Sequence, residues 1–129
     1  MKILHISNGD DKLGSGRCLM ELLVYEKIQG DIIPIVVNPT ENGITEFCRN
    51  HNIEYHVAPY RSFMYAQHDK QAWAKYLIRK SQYNIEMNVK ADYKKLENEI
   101  NFSDIDLIHT NNCTIDLGIR FSKKYNIQH

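Results

Sequence analysis

HISNGDDKLGSGRCLMELL, residues 5–23, starts inside an apolar run, crosses a bend rich in glycine and polar residues, and continues into leucines at helical spacing. That order is strand, tight loop, helix, the opening of a βαβ unit. A dinucleotide-binding bend carries three glycines, G-x-G-x-x-G, the third letting the helix pack close to the strand. Here Gly14-Ser15-Gly16 is followed by Arg17, Cys18 and Leu19, so the third glycine is missing. What remains is a helix N-terminus whose first amides lack an intrahelical acceptor, an arrangement that favours an anion. Ser15 is the expected N-cap. With Gly14 in the same bend, the amides of Gly16 and Arg17 and the charges of Lys12 and Arg17 are the groups expected to hold a phosphate or a sugar oxygen. A plain glycine turn with exposed basic residues is the other reading of the same stretch.

Outward from this stretch the alternation continues. Residues 2–7 (KILHIS) and 32–37 (IIPIVV) read as buried strands. Between them Leu19, Leu22, Leu23 and Ile28 recur at helical spacing, with Glu21, Lys27 and Gln29 on the other side and Gly30 as the stop. Thr40 is the expected cap of a short second helix whose Ile44, Phe47 and Cys48 share a face, and residues 53–58 (IEYHVA) give a third strand. Residues 104–109 (DIDLIH) give a fourth, followed by the polar corner TNNCT and a helix from about Thr114 to Tyr125 with Leu117, Phe121 and Tyr125 one turn apart. Alternating strands and helices predict a parallel sheet covered on both faces, and right-handed crossovers give the order 3-2-1-4.

Residues 60–101 break this rhythm, being longer than a usual α/β connection. Trp73, Tyr76, Leu77 and Lys80 share one helical face, and Val89, Tyr93, Leu96 and Ile100 another, so two consecutive helices joined near 82–87 are expected. Lysines and tyrosines interleave here, but Glu86, Asp92, Glu97 and Glu99 offset most of the charge, which favours a solvated face over a nucleic-acid surface.

The 129 residues make one domain with room for a real core, and the 16 basic and 16 acidic side chains cancel. No global field then favours nucleic acid or an anionic membrane, so any anion site is local. Three widely spaced cysteines, Cys18, Cys48 and Cys113, no leader-like start and no run of about 20 apolar residues fit a reducing cytoplasm, with the inner face of the membrane as the alternative location.

In an open parallel sheet, ligands bind beyond the carboxyl ends of the strands where the strand order reverses. The loops after strands one and four qualify. His109 at the end of strand four reads as a base, a ligand group or a packed side chain, and Asn111 and Asn112 can both donate and accept, as a polyhydroxyl ligand requires. Cys48, His51 and His56 lack paired metal-ligand spacing, and no nucleophile elbow, P-loop or paired-carboxylate signature occurs. A nicotinamide enzyme wants an acidic residue after strand two, where this chain has Asn38-Pro39.

MKILHIS, the glycine-rich loop running into an apolar helix, IIPIVVNP, NIEYHVAPY and above all DIDLIHTNN resemble the N-terminal domain of GT-B fold glycosyltransferases of family 4, a group with many bacterial capsule and surface-polysaccharide enzymes. The likeness spans nearly the whole chain, loosest over 60–101. It implies a two-domain enzyme, residues 1–129 being the Rossmann-like acceptor-side domain and the donor-binding C-terminal domain lying outside them. The implied activity is hexosyl transfer from a nucleotide-sugar donor to a glycan or lipid-linked acceptor, with retention and without a metal or other cofactor. It also implies that these residues alone are inactive. Lys12-Leu13-Gly14 resembles the Lys-x-Gly-Gly loop of the related glycogen synthases, with Ser15 in place of the second glycine. Where many members have His-x-His, this chain has His109-Thr110-Asn111, and Asn111 is no base near neutral pH. Lys12, Gly14, Ser15, Gly16, Arg17, His109, Asn111 and Asn112 are thus the candidate substrate-binding residues, and no catalytic residue is assigned. Peripheral membrane contact and self-association are compatible with this reading. A stand-alone flavodoxin-like module binding a small anion is the alternative.

Overall fold

The computed structural model describes residues 1–9, 11–60, 93–113 and 115–129. The elements run β1 (Lys2–Ile6), α1 (Gly14–Gln29), β2 (Ile33–Asn38), α2 (Gly43–Asn50), β3 (Glu54–Val57), a 3-10 turn (Phe102–Asp104), β4 (Leu107–Thr110) and a C-terminal helix, α3 (Leu117–Tyr125). The four strands form one parallel sheet in the order β3-β2-β1-β4, as the crossover rule predicts. Of the two helices expected over 60–101, residues 93–99 are helical; Trp73, Tyr76, Leu77, Lys80 and Val89 lie outside the described residues.

Strand alternation sorts the core into two faces. Leu4 and Ile6 of β1, Ile35 and Val37 of β2 and Ile108 of β4 pack with Leu96, Ile100, Leu117 and Phe121. Val36, pointing the other way, packs with Leu19 and Leu23 of α1 and Ile44 and Cys48 of α2. The expected Leu117, Phe121 and Tyr125 stripe is seated in this way, with Tyr125 stacked on Phe102 at 4.1 Å between ring centroids.

Several local expectations are corrected. Ile28 stays 75% exposed, and the core-facing position of that turn of α1 goes to Glu26. The helix begins at Gly14 after Leu13, with no side-chain cap, so Ser15 is not the N-cap. In α2 the cap is Asn42 instead of Thr40, because Asn42 accepts from Ile44 N at 2.9 Å while Thr45 Oγ1 accepts from Asn42 N at 2.9 Å, a reciprocal capping box. The fourth strand starts at Leu107, since residues 102–104 form the 3-10 turn and Asp106 is spent on Lys2, accepting from its amide at 2.7 Å and donating to its carbonyl at 3.0 Å. The last helix starts at Leu117 because Ile115 N first closes a turn on Asn112 O at 3.3 Å.

Past α3 the chain turns through Asn126 in the left-handed region (φ 55°) and comes back along the outer side of β4, where Gln128 bridges Leu107 in parallel and accepts from Ile108 N at 2.9 Å. Among the described residues no helix is long and apolar enough to cross a membrane.

Candidate functional site

A buried polar network shapes the loop that leaves β1. Ser7 Oγ donates to Asn38 Oδ1 at 2.6 Å and accepts from Gly9 N at 2.8 Å. Asn38 Nδ2 donates to Asn42 Oδ1 at 3.0 Å, and Asn42 Nδ2 to Gly9 O at 2.7 Å. Gly9 must be glycine: its φ is +77°, and a Cβ there would sit 2.4 Å from Pro39 Cγ. Asp11 Oδ2 accepts from Gly43 N at 2.7 Å, so the N-terminus of α2 already holds a carboxylate. The Tyr60 hydroxyl donates to the carbonyls of Ser7 and Val37. With these bonds made, the loop is fixed against β2 and α2 and presents its other side to β4.

On that side the two loops meet. Asn111 N donates to Ile6 O at 2.9 Å and Asn111 Nδ2 to Ser15 O at 2.9 Å, while Asn8 Nδ2 donates to Ser15 Oγ at 2.9 Å. Because β1 and β4 are neighbours at the point where the strand order reverses, Ser15, Asn111 and His109 lie together at the carboxyl ends of these strands. Asn112 is half-buried beside them, Gly16 is buried in the first turn of α1, and Lys12, Gly14 and Arg17 are exposed. One expected anion contact is lost: Arg17 N already donates to Leu13 O at 3.3 Å. The amide of Gly16 stays among the first-turn donors that have no acceptor within the helix.

Beneath the loops is a chain of three titratable groups. His5 and His109 face each other across β1 and β4 in register, and their Nδ1 atoms are 2.9 Å apart. The other His5 nitrogen, Nε2, is 2.9 Å from Glu26 Oε2. His5 and Glu26 are buried, at 1% and 4% exposure, and His109 is half-buried. A carboxylate only accepts, so His5 Nε2 carries a proton and donates to Glu26. Neutral His5 then has a lone pair on Nδ1, which accepts from His109 Nδ1–H, and His109 Nε2 is the unprotonated end of the chain. Burial, with His5 and His129 nearby, pushes the His109 imidazole below its ordinary value, while Glu26 pulls in the opposite sense.

Of these three, the sequence reading singled out His109 alone. Two signals pointed to the others: His5 interrupts an otherwise apolar strand, and Glu26 continues the i, i+4, i+7 stripe of Leu19 and Leu23.

Cys48, His51 and His56 are engaged separately. Cys48 is buried, its thiol pushed up to about 11 by desolvation; His51 stacks on Phe47 with centroids 4.0 Å apart; His56 lies between Glu54 at 3.0 Å and Glu99 at 3.2 Å. Among the described residues no group of three or more metal-ligating side chains converges. No family model, no curated protein and no solved structure matches this chain.

Proposed function

We propose that residues 1–129 are the acceptor-side half of a retaining, metal-independent glycosyltransferase of the GT-B type, working on surface polysaccharide with a nucleotide-sugar donor held by a second domain. One observation carries this reading: polar groups suited to hydroxyls converge at the switch point between β1 and β4, with Asn111 tied to Ser15 at 2.9 Å and His109 on β4, one residue before its end. A ligand in that place would find an amide, a serine hydroxyl and an imidazole acceptor near one another, the mixed donor and acceptor set that a sugar ring needs. The sheet order and the resemblance of DIDLIHTNN to the family support the same reading.

The test is titration of the purified chain with glucose, galactose and N-acetylglucosamine, followed by amide NMR, together with a transfer assay using nucleotide sugars. Saturable shifts centred on Ser15 and Asn111 are expected, without turnover. Turnover by these residues alone overturns the two-domain reading. The alternative, a small-anion module, draws on the α1 N-terminus, which has no acidic residue in its first turn. Inorganic phosphate shifting Gly14–Gly16 while the sugars shift nothing would select it.

A further inference from the structure

We propose that Glu26, His5 and His109 form a hydrogen-bonded relay that holds His109 as the Nδ1–H tautomer and presents its Nε2 lone pair to a ligand hydroxyl at the β1–β4 loops. The choice of a hydroxyl ligand rests on the function proposed above; the relay rests on geometry alone. Three observations carry it. The two contacts are both 2.9 Å, within hydrogen-bonding range, and they run in series through both nitrogens of one ring. Two of the three groups are buried, His5 on β1 and Glu26 on the α1 face packed against it, where a polar side chain persists only when its partners are satisfied. The third stands half-exposed on β4, one residue from Thr110 and two from Asn111, and its Nε2 has no hydrogen-bond partner among the described residues.

The direction of the chain follows from its anchored end. The Glu26 carboxylate accepts but cannot donate, which fixes the proton of neutral His5 on Nε2 and that of His109 on Nδ1. A proton arriving at His109 Nε2 has two places to leave its charge. Either His109 becomes the imidazolium, or its Nδ1 proton passes to His5 Nδ1 and the charge moves beside Glu26; in the second case His109 ends neutral with the proton on Nε2. No proton is lost, and the relay gains one in either route. The titratable groups facing His109 are His5 from β1, Glu26 from α1, and His129 from the segment after α3, whose Nε2 is 2.8 Å from Thr110 Oγ1. Glu26 and His5 are positioning residues here, and His109 is the group that would touch the ligand.

The experiment is NMR of the histidine ring nitrogens in the full chain between pH 5 and 8. The relay predicts His5 protonated on Nε2 and His109 on Nδ1 above the His109 midpoint. His109 protonated on Nε2 in its neutral form would overturn it, and this wild-type measurement stands even where variants fail to fold. In Glu26→Gln the amide can donate as well as accept, so His109 should lose its single tautomer and titrate at lower pH. Glu26→Asp should restore the tautomer if its carboxylate reaches His5. Unchanged His109 tautomer and midpoint in a folded Glu26→Gln variant would also sink the relay. Addition of N-acetylglucosamine separates the ligand from the relay: a shift of the His109 Nε2 resonance supports the hydroxyl contact. A shift at the Asn111 amide with His109 unmoved keeps the sugar site and removes His109 from it. No shift at either overturns the sugar reading, while the tautomer still decides the relay.

Discussion

Glu26 occupies a position where helical spacing calls for a leucine, and that single residue reorganises the reading of α1. With Leu19 and Leu23 it makes the buried stripe, and Ile28, the apolar residue expected there, is left in solvent. A carboxylate accepts such a place because His5 waits across the interface at 2.9 Å. Glu26→Ala removes the acceptor of the His5 Nε2 proton and leaves it buried, which should cost about 1–3 kcal/mol. Replacing the pair together, His5→Phe with Glu26→Leu, should destabilise less than the two single changes added, since buried polar pairs are often matched by apolar residues of similar size. Urea denaturation of Glu26→Ala, of His5→Phe and Glu26→Leu singly, and of the double variant measures both; strict additivity would mean that the two residues do not act as a pair.

His109 gives a second prediction at this scale, one of pH. Its imidazole is held below the ordinary value near 6.5, so as the pH falls through that value the unfolded chain takes up the proton first. The unfolded state then binds more protons than the folded one, and stability falls with falling pH until the folded-state midpoint is passed. His109→Gln should therefore flatten part of the decline in melting temperature between pH 7 and 5. A parallel decline in the variant would assign the acid sensitivity to other groups.

At the scale of elements, the sequence specified the strands and helices well and their caps poorly, for one reason. Strand and helix type follow from apolar periodicity, which is local, so KILHIS, IIPIVV and the Leu117, Phe121, Tyr125 stripe were legible from sequence alone. A cap is chosen by which side chain the rest of the fold leaves free to reach an amide. Thr40 and Asn42 are both capping residues, but Asn42 also donates to Gly9 O at 2.7 Å and accepts from Asn38 at 3.0 Å, contacts from another loop and another strand. The Ser15 hydroxyl likewise accepts from Asn8 Nδ2, and the residue lies inside the first turn. The same cause hid part of the candidate site: position at the switch point was readable for His109 and Asn111, whereas Glu26 entered only through the packing of α1. Asn42→Ala should then cost about 0.5–2 kcal/mol through lost capping, with the two loop contacts adding to it, against under about 0.5 kcal/mol for Thr40→Ala. Thermal melts of the two variants decide, and equal effects would refute the assignment of the cap.

For the whole molecule, the strand order follows from crossover handedness, and among the described strands the order puts β4 at one edge of the sheet and β3 at the other. What covers its outer edge was not legible, because a single short pairing has no periodicity of its own. Residues 126–129 supply it. Asn126 ends α3 with its amide on Ser122 O, Ile127 packs against the larger core cluster, and Gln128 accepts from Ile108 N at 2.9 Å. Gly118 lets this return come close, since a Cβ there would lie 2.0 Å from Thr110 Oγ1 and 2.8 Å from His129 Nε2. A chain ending at Tyr125 loses the burial of Ile127, worth up to about 1.5–3 kcal/mol when complete, and one backbone hydrogen bond worth about 0.5–1.5 kcal/mol. It also bares the N–H of Ile108 on a strand edge, the feature through which sheets pair with one another. The truncated chain should melt several degrees lower and show light scattering that rises with concentration more steeply than the full 129 residues do. Gly118→Ala should move the same way by a smaller amount, because it displaces His129 without removing Ile127. If truncation lowers the melting temperature but leaves scattering unchanged, the segment stabilises the core without guarding the edge; if it changes neither, the pairing at Gln128 does not hold in solution.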